Sequence, residues 1–135
     1  MLELLNKDSV LRVRNFLKKF DKSLEVKVLD TSAKTAIDAS KSLNCEVGAI
    51  IKSLLFKTDD SFLLCLVSGD KRCSLKKLKN LTNKKNISMA NPNEVKSQTG
   101  FTIGGVSPVA HKILLKIFID KELERFNDLY AAAGH

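Results

Sequence analysis

Apolar positions along this chain follow a helical period in some segments and a strand period in others. In VLRVRNFLKKF, the residues Val10, Val13, Leu17 and Phe20 recur at helical spacing, which predicts an amphipathic helix with basic residues on its other faces. In SLEVKVL, residues 23–29, apolar and polar positions alternate, which predicts a half-buried strand. AIIKSLLF and FLLCLV are denser apolar segments, and the TDDS between them predicts a turn that joins them as an antiparallel hairpin.

Capping signals predict where further helices begin and end. In TSAKTAIDASKSLN, either Thr31 or Ser32 can cap a second helix. Asn91 is followed by a proline and then by Glu94, which is typical of a helix start, and Gly100 would end that helix. SLKKLKNL is predicted to be a short helix, ISMA a short strand, ILLKIFID a strand and KELERF a short helix.

The order of these elements predicts the fold class. Helices and strands are intermixed along the chain, and we find no internal repeat or linker-like segment. A length of 135 residues corresponds to one domain. We therefore expect residues 1–135 to form a single compact α/β domain with a mixed, mostly antiparallel sheet and flanking helices. The longest apolar runs are far shorter than the roughly 20 residues of a membrane span, and the first residues lack a signal-peptide pattern, so we expect a cytoplasmic protein.

Charge and cysteine content narrow the range of candidate functions. The chain has 23 Lys and Arg against 15 Asp and Glu, a formal net charge of +8, which suits a polyanion held by its backbone. Cys45, Cys65 and Cys73 form no CxxC pair, and we interpret them as ordinary thiols in a reducing compartment. Cys65 is predicted to be core, and Cys45 is a candidate for the wall of a site. The cysteine and histidine spacings do not match a zinc site, and we expect no metal and no cofactor.

Lys52 is the first candidate functional residue. It lies inside an apolar strand, on the same predicted face as Ile50 and Leu54. Such a lysine either reaches solvent along its aliphatic stem or is held in a pocket that faces an anion. The strand alone leaves both interpretations open.

The second candidate is the loop of Gly104, Gly105, Val106, Ser107 and Pro108. Adjacent glycines let backbone N–H groups approach a ligand, and the proline stiffens the far side of the loop. The loop can cradle a phosphate, a carboxylate or a carbonyl oxygen, or it can be a plain tight connection. The chain lacks a Walker motif, the GxGxxG spacing and a recognisable catalytic triad. An enzyme of this sequence would therefore depend on positioning, backbone dipoles and one cation.

Four segments in this order resemble the YbaK/EbsC family of prolyl-tRNA synthetase-associated editing domains. They are TAIDASKSLN, GAIIKSLLF, FLLCLVSGDKR, and TGFTIGGVSPVAH with the following IFID. The terminal AAAGH is similar to the start of the family's last motif. The resemblance covers about 100 residues, from the second predicted helix onward, and the order and spacing of the segments make it specific.

The resemblance implies an aminoacyl-tRNA deacylase that removes a wrongly attached amino acid from the terminal ribose of tRNA, without a metal or cofactor. The strand lysine would hold the backbone of the tRNA 3′ end, and the loop would position the aminoacyl group for attack by water or by a substrate hydroxyl or thiol. Implied partners are aminoacylated tRNA and a synthetase, and no membrane. The implied catalytic residues are Lys52, Gly104 and Gly105. The implied substrate-binding residues are Ile50, Ser53, Val106, Ser107, Pro108 and Gly134.

The chain departs from the family pattern at Ala110, where many members have a glycine two residues after the proline. Small residues around the predicted pocket favour alanine, serine, threonine or cysteine as the amino acid removed, although a one-methylene difference discriminates only about 10- to 200-fold. Two other functions fit the sequence. One is a non-catalytic RNA-binding or synthetase-associated module that holds a tRNA 3′ end. The other is a small-molecule hydrolase or nucleotide-binding protein, which the basic charge disfavours.

Overall fold

The computed structural model describes residues 2–29 and 33–135. The helices are α1 Leu2–Leu5, α2 Asp8–Phe20, α3 Ala36–Leu43, α4 Leu75–Thr82 and α5 Pro92–Thr99. The strands are β1 Ile50–Lys57, β2 Phe62–Ser68, β3 Ser88–Met89, β4 Lys116–Ile119 and β5 Tyr130–Ala131. Short 3-10 turns cover Val47–Ala49 and Lys121–Arg125. Within the described ranges, no helix is both long and apolar enough to cross a membrane.

The sheet is built around a hairpin of β1 and β2. These strands pair antiparallel from Ile51 opposite Ser68 to Lys57 opposite Phe62, and β4 lies parallel to β2 on the outer side. The other edge of β1 carries two short strands, β5 in parallel near its start and β3 antiparallel near its end. This arrangement confirms the predicted α/β class, the hairpin and the mixed sheet.

Alternation along the hairpin divides the core into two layers. One layer, which we call the α2 face, includes the hairpin residues Leu55, Leu64 and Leu66 together with Val13 from α2, Val95 from α5, Phe101 and Val106. The other, which we call the α4 face, includes Phe56, Leu63, Cys65 and Val67 together with Leu78 from α4 and Ile87. Because both faces of β1 and β2 are covered, their sequences lack a polar side.

Capping explains several helix boundaries. Thr35 begins α3, since its hydroxyl accepts a hydrogen bond from a first-turn amide at 3.1 Å. The caps predicted at Thr31 and Ser32 lie outside the described residues. Both hydrogen bonds of the capping box form at Asn91, and Gly100 ends α5 with φ of 80°. These last two boundaries confirm the sequence prediction.

Two element predictions need correction. SLEVKVL forms no strand within the described residues, and Val26 packs on the core from a segment outside the sheet. In ILLKIFID the strand is only β4, because Ile113 and Leu114 are exposed before it begins. The short helix predicted at KELERF forms as a 3-10 helix, Lys121–Arg125. The sequence did not predict β5 or α1, since two to four residues show no period.

An ion pair ties the end of β2 to the 3-10 turn after β4. The Arg125 guanidinium donates to both carboxylate oxygens of Asp70, at 3.1 and 2.8 Å, and to the Ser68 hydroxyl at 2.9 Å. The Ser68 hydroxyl lies within hydrogen-bond distance of both the Gly48 carbonyl and the Asp70 carboxylate, and its one proton serves one of them at a time. The hydrogen bond from Arg125, followed by that from Ser68, holds the pKa of Asp70 well below its usual range.

The lowered pKa of Asp70 predicts an acid-sensitive contribution to stability. The contribution is complete above the unfolded-state pKa of 3.8 and is lost as pH falls from there toward the lowered folded-state value. We expect Asp70→Asn to lower the free energy of unfolding at about pH 6, and the difference from the wild type to shrink at about pH 3. Urea unfolding at both pH values measures this, with the exposed Asp128→Asn as control. A difference that is the same at both pH values would contradict the assignment.

Candidate functional site

The Gly104–Gly105 pair forms a tight turn in which Gly104 is exposed and Gly105 is buried. The Gly105 amide donates to the Thr102 carbonyl at 2.9 Å, and Gly104 has φ of 86°, a left-handed conformation that glycine adopts without steric cost. A Cβ at Gly104 would meet nothing within 4 Å. Gly104 therefore presents bare backbone to solvent.

The C-terminal segment packs directly on this turn. The Gly134 amide donates to the Gly105 carbonyl at 3.0 Å, and a Cβ at Gly105 would lie 3.1 Å from backbone atoms of His135. The Ser9 hydroxyl of α2 donates to the Gly134 carbonyl at 2.6 Å. The structure thus brings Gly104, Gly105 and Gly134 together and adds Ser9, which the sequence did not single out.

Arg12 holds the far end of the loop. Its Nε donates to the Ala110 carbonyl at 2.9 Å and its Nη2 to the Thr99 carbonyl at 3.1 Å, while the guanidinium lies 4.3 Å from the centre of the Phe101 ring. Ala110 has φ of 64°, a left-handed backbone that glycine adopts more readily than alanine. In the sequence Arg12 belongs to a basic helix face, and no local signal separates it from its exposed neighbours.

The remaining loop residues support the turn from inside. Val106 and Ser107 are buried, Ser107 completely, and the Ser107 hydroxyl accepts from the Val109 amide at 3.1 Å. Pro108 is half-buried. The side chains of Val106 and Ser107 therefore do not face an open pocket, and Gly104 offers the accessible backbone.

Lys52 lies on the other side of the sheet from this loop. Its register partner is Val67, which belongs to the α4 face, whereas Val106 packs in the α2 face. The Lys52 ammonium donates to the Lys71 carbonyl at 2.5 Å. Among residues 2–29 and 33–135, no carboxylate forms an ion pair with Lys52. The lysine is thus a half-buried cation whose charge is not neutralised by a neighbour.

Ser53 points to the same side as the loop. It stands opposite Leu66 in the α2 face, and in the described part of the chain its buried hydroxyl has no hydrogen-bond partner. The edge of β1 at residues 52–54 lies between the pairings of β5 and β3, and no described strand pairs with it there. Ile50, by contrast, is buried opposite Tyr130.

The terminal segment connects this open strand edge to the glycine turn. Ala131 pairs with Ile51, and Gly134, three residues later, is bonded to Gly105. Three residues span at most about 11 Å. We call the open edge at residues 52–54, the turn at residues 104–105 and the terminal segment at residues 131–135 the edge site. It can contact a small group from several sides.

None of the three cysteines belongs to the edge site. Cys65 is buried in the α4 face, as predicted, and burial is the main cause that raises the pKa of its thiol to about 12. Its Sγ lies 3.5 Å from that of Cys73. Cys45 is half-buried after α3. A thiol with the pKa of Cys65 is inert as a nucleophile at neutral pH.

Alanine substitution is expected to have different effects at the two glycines of the turn. Gly105→Ala places a Cβ against the His135 backbone, so we expect the terminal segment to shift and the Gly134 amide to exchange faster. Gly104→Ala meets open space but a left-handed φ, so we expect a loss of about 1 kcal/mol in the free energy of unfolding with the Gly134 amide still protected. Hydrogen exchange measured by NMR distinguishes them. Equal protection of the Gly134 amide in both variants would contradict the packing described.

Comparison with known proteins places this geometry in a family. The family model for the aminoacyl-tRNA editing domain matches residues 30–135. YwhH of Bacillus subtilis, an uncharacterised protein, is 31% identical over 127 residues, which cover 93% of this chain and 80% of YwhH. The proline–tRNA ligase of the same organism is 35% identical over 113 residues, which cover 84% of this chain but only 20% of the ligase.

Solved structures agree with the sequence relatives. A protein described as a candidate trans-editing enzyme for prolyl tRNA synthetase superposes with a TM-score of 0.89 at 37% identity, covering 95% of this chain and 82% of that protein. A hypothetical protein of known structure superposes with a TM-score of 0.85 at 25% identity, covering 92% of this chain. The resemblance inferred from the sequence is confirmed by these matches. The chain belongs to the aminoacyl-tRNA editing domain family.

Proposed function

We propose that this protein is a trans-editing deacylase that hydrolyses mischarged tRNA carrying alanine, serine, threonine or cysteine. The partner is the aminoacylated 3′ end of tRNA, with a synthetase as a second partner, and the reaction takes place in the cytoplasm. The observation that carries the proposal is the edge site: within the described residues, Gly104 presents exposed backbone, the buried Ser53 hydroxyl has no hydrogen-bond partner, and no strand pairs with β1 at residues 52–54. Lys52, on the other face of the same strand, forms no ion pair there.

Lys52 and its surroundings are suited to the tRNA backbone. Lys52, Lys71 and Arg72 cluster where β1 and the segment after β2 meet, and none of them forms an ion pair within the described ranges. A phosphate there would replace the neutral carbonyl as the partner of the Lys52 ammonium and gain a charge-assisted hydrogen bond. Because the edge of β1 is open at residues 52–54, one substrate can lie across it and reach both faces.

The aminoacyl group would lie on the α2 side of that edge. A buried hydroxyl without a partner costs roughly 1–3 kcal/mol, and a substrate carbonyl or amino group would supply the missing partner of the Ser53 hydroxyl. The exposed Gly104 would present its backbone N–H to the oxygen that becomes negative during attack. The neighbouring Ala132 and Ala133 are half-buried, and close packing around them favours a small amino-acid side chain.

The proposed reaction is ester hydrolysis. Water adds to the ester carbonyl carbon, the bond from that carbon to the ribose oxygen breaks, and the products are a free amino acid and a tRNA with a free ribose hydroxyl. In this mechanism the protein contributes positioning and electrostatic stabilisation. No side-chain nucleophile and no metal takes part in it.

The role of Lys52 is tested by amino-acid release from a panel of mischarged tRNAs. We expect Lys52→Ala to lower kcat/KM by about 10- to 100-fold, since a hydrogen bond to a charged group is worth about 1.5–3 kcal/mol. Lys57→Ala, on the same strand and paired with Glu94, is the matched control and should stay near the wild-type value. Unchanged hydrolysis by Lys52→Ala would exclude its role. Salt-sensitive binding without turnover on any tRNA would favour the non-catalytic module instead.

Ser53 gives a test that separates function from stability. Ser53→Ala removes a buried hydroxyl that has no partner among the described residues, so we expect the free energy of unfolding to stay equal or rise by about 1 kcal/mol. Deacylation should nevertheless fall, because the substrate loses a hydrogen bond. Urea unfolding and the same tRNA assay measure the two effects. A variant that is less stable than the wild type would show that the hydroxyl has a structural role. A fully active variant would show that the hydroxyl has no role in deacylation.

A further inference from the structure

A second groove lies on the outer side of α2, next to the far end of the glycine loop. It has a volume of about 300 Å³, which is the lower end of the range for small-ligand pockets. We call it the α2 groove, and it is lined by Arg12, Asn15, Phe16, Lys19, Ala110 and His111. None of these residues belongs to the edge site.

The groove carries positive charge that no carboxylate neutralises. Arg12 is oriented by its bonds to the Ala110 and Thr99 carbonyls, and Lys19 is exposed one to two turns further along the helix. Neither forms an ion pair within the part of the chain that the structure describes. Two such cations beside a concave surface favour an anion such as a phosphate group.

Aromatic and hydrogen-bonding groups line the rest of the groove. The Phe16 side chain is 43% exposed although it forms a wall of the cavity, and bases stack on such rings in single-stranded complexes. The His111 Nε2–H donates to the Ser107 carbonyl at 2.7 Å, which leaves Nδ1 as an acceptor. Burial is the main cause that lowers the pKa of His111, which favours the neutral ring. Asn15 adds both an acceptor and a donor.

The groove is also close enough to the edge site to be reached by the same strand. Ser9, which contacts Gly134, and Phe16 lie on one helix, and seven residues of rise correspond to about 10 Å. We propose that the α2 groove binds a nucleotide upstream of the aminoacylated nucleotide in the single-stranded 3′ end of the RNA substrate, with its base stacked on Phe16 and its phosphate beside Lys19. This inference rests on the proposed function and identifies the part of the protein that recognises the RNA.

Direct binding tests the groove. The probe is an unacylated RNA trinucleotide of sequence CCA, titrated into the ¹⁵N-labelled protein with NMR detection. We expect the amide resonances of Phe16, Lys19 and His111 to shift. The Kd should rise by at least about fivefold for Phe16→Ala, because stacking on an aromatic ring is worth about 1–3 kcal/mol per base, and Lys19→Glu should weaken binding as well.

Matched controls lie on the same helix. Phe20→Ala and Lys18→Glu change exposed residues of the same types outside the groove lining, and their Kd should stay within about twofold of the wild type. Phe16 is partly exposed, so its variant should fold, and its NMR spectrum checks this. If Phe16→Ala and Lys19→Glu bind the trinucleotide as tightly as the controls, the inference is overturned.

Failure of the deacylase proposal can be distinguished from failure of the groove proposal. If the wild-type protein releases no amino acid from any mischarged tRNA but CCA still binds with the expected variant effects, the groove stands and the deacylase proposal falls. If deacylation occurs, Phe16→Ala should raise KM with kcat nearly unchanged for mischarged tRNA. Hydrolysis of an aminoacyl ester of adenosine, which lacks the upstream nucleotides, should be unaffected. A kcat defect on that minimal ester would contradict a role restricted to upstream RNA.

Discussion

The antiparallel pairing of β1 with β2 is the interaction on which the rest of the structure depends. Both strands are covered on their two faces, so the side chains of alternate residues of β1 point into different layers of the protein. Ser53 faces the layer of α2 and the glycine loop, and Lys52 faces the layer of α4. A substrate that uses both residues must therefore cross the edge of β1, and the edge is open at that place.

Backbone contacts between distant parts of the chain complete the site. Gly105 bonds to Gly134, and the Gly134 carbonyl is held by Ser9, 125 residues away in sequence. Arg12 holds the loop at its other end through the Ala110 carbonyl. The turn is thus held in place by bonds to carbonyl groups, which leaves its own outward-facing backbone available. Preorganised backbone of this kind can stabilise developing charge without a titratable side chain.

The sequence predicted the parts of the site but not their arrangement. The strand lysine and the glycine pair were recognisable because an isolated charge in an apolar strand and adjacent glycines are unusual locally. The sequence did not predict that Lys52 and the glycine loop lie on opposite faces of the sheet, because that depends on which face the loop packs against. Arg12 could not be distinguished from Arg14 or Lys18, since its partners are the carbonyl of Thr99, the last residue of α5, and the carbonyl of Ala110 in the loop that follows. The sequence predicted that Val106 and Ser107 bind substrate, whereas the structure buries both side chains. Whether a loop side chain is buried depends on tertiary packing, which the local sequence does not show.

The sequence by itself determined the hairpin, the amphipathic α2, the capping box of α5 and the turn at Gly104, because each depends on residues that are near neighbours in the chain. Only the tertiary structure decided the pairing of β3 and β5, the loss of the strand predicted at residues 23–29, and the contact of the terminal segment with the glycine turn. Those features depend on hydrogen bonds between segments far apart in sequence, and a two-residue strand carries no pattern that could indicate its partner. The edge site and the α2 groove exist only where these distant segments meet.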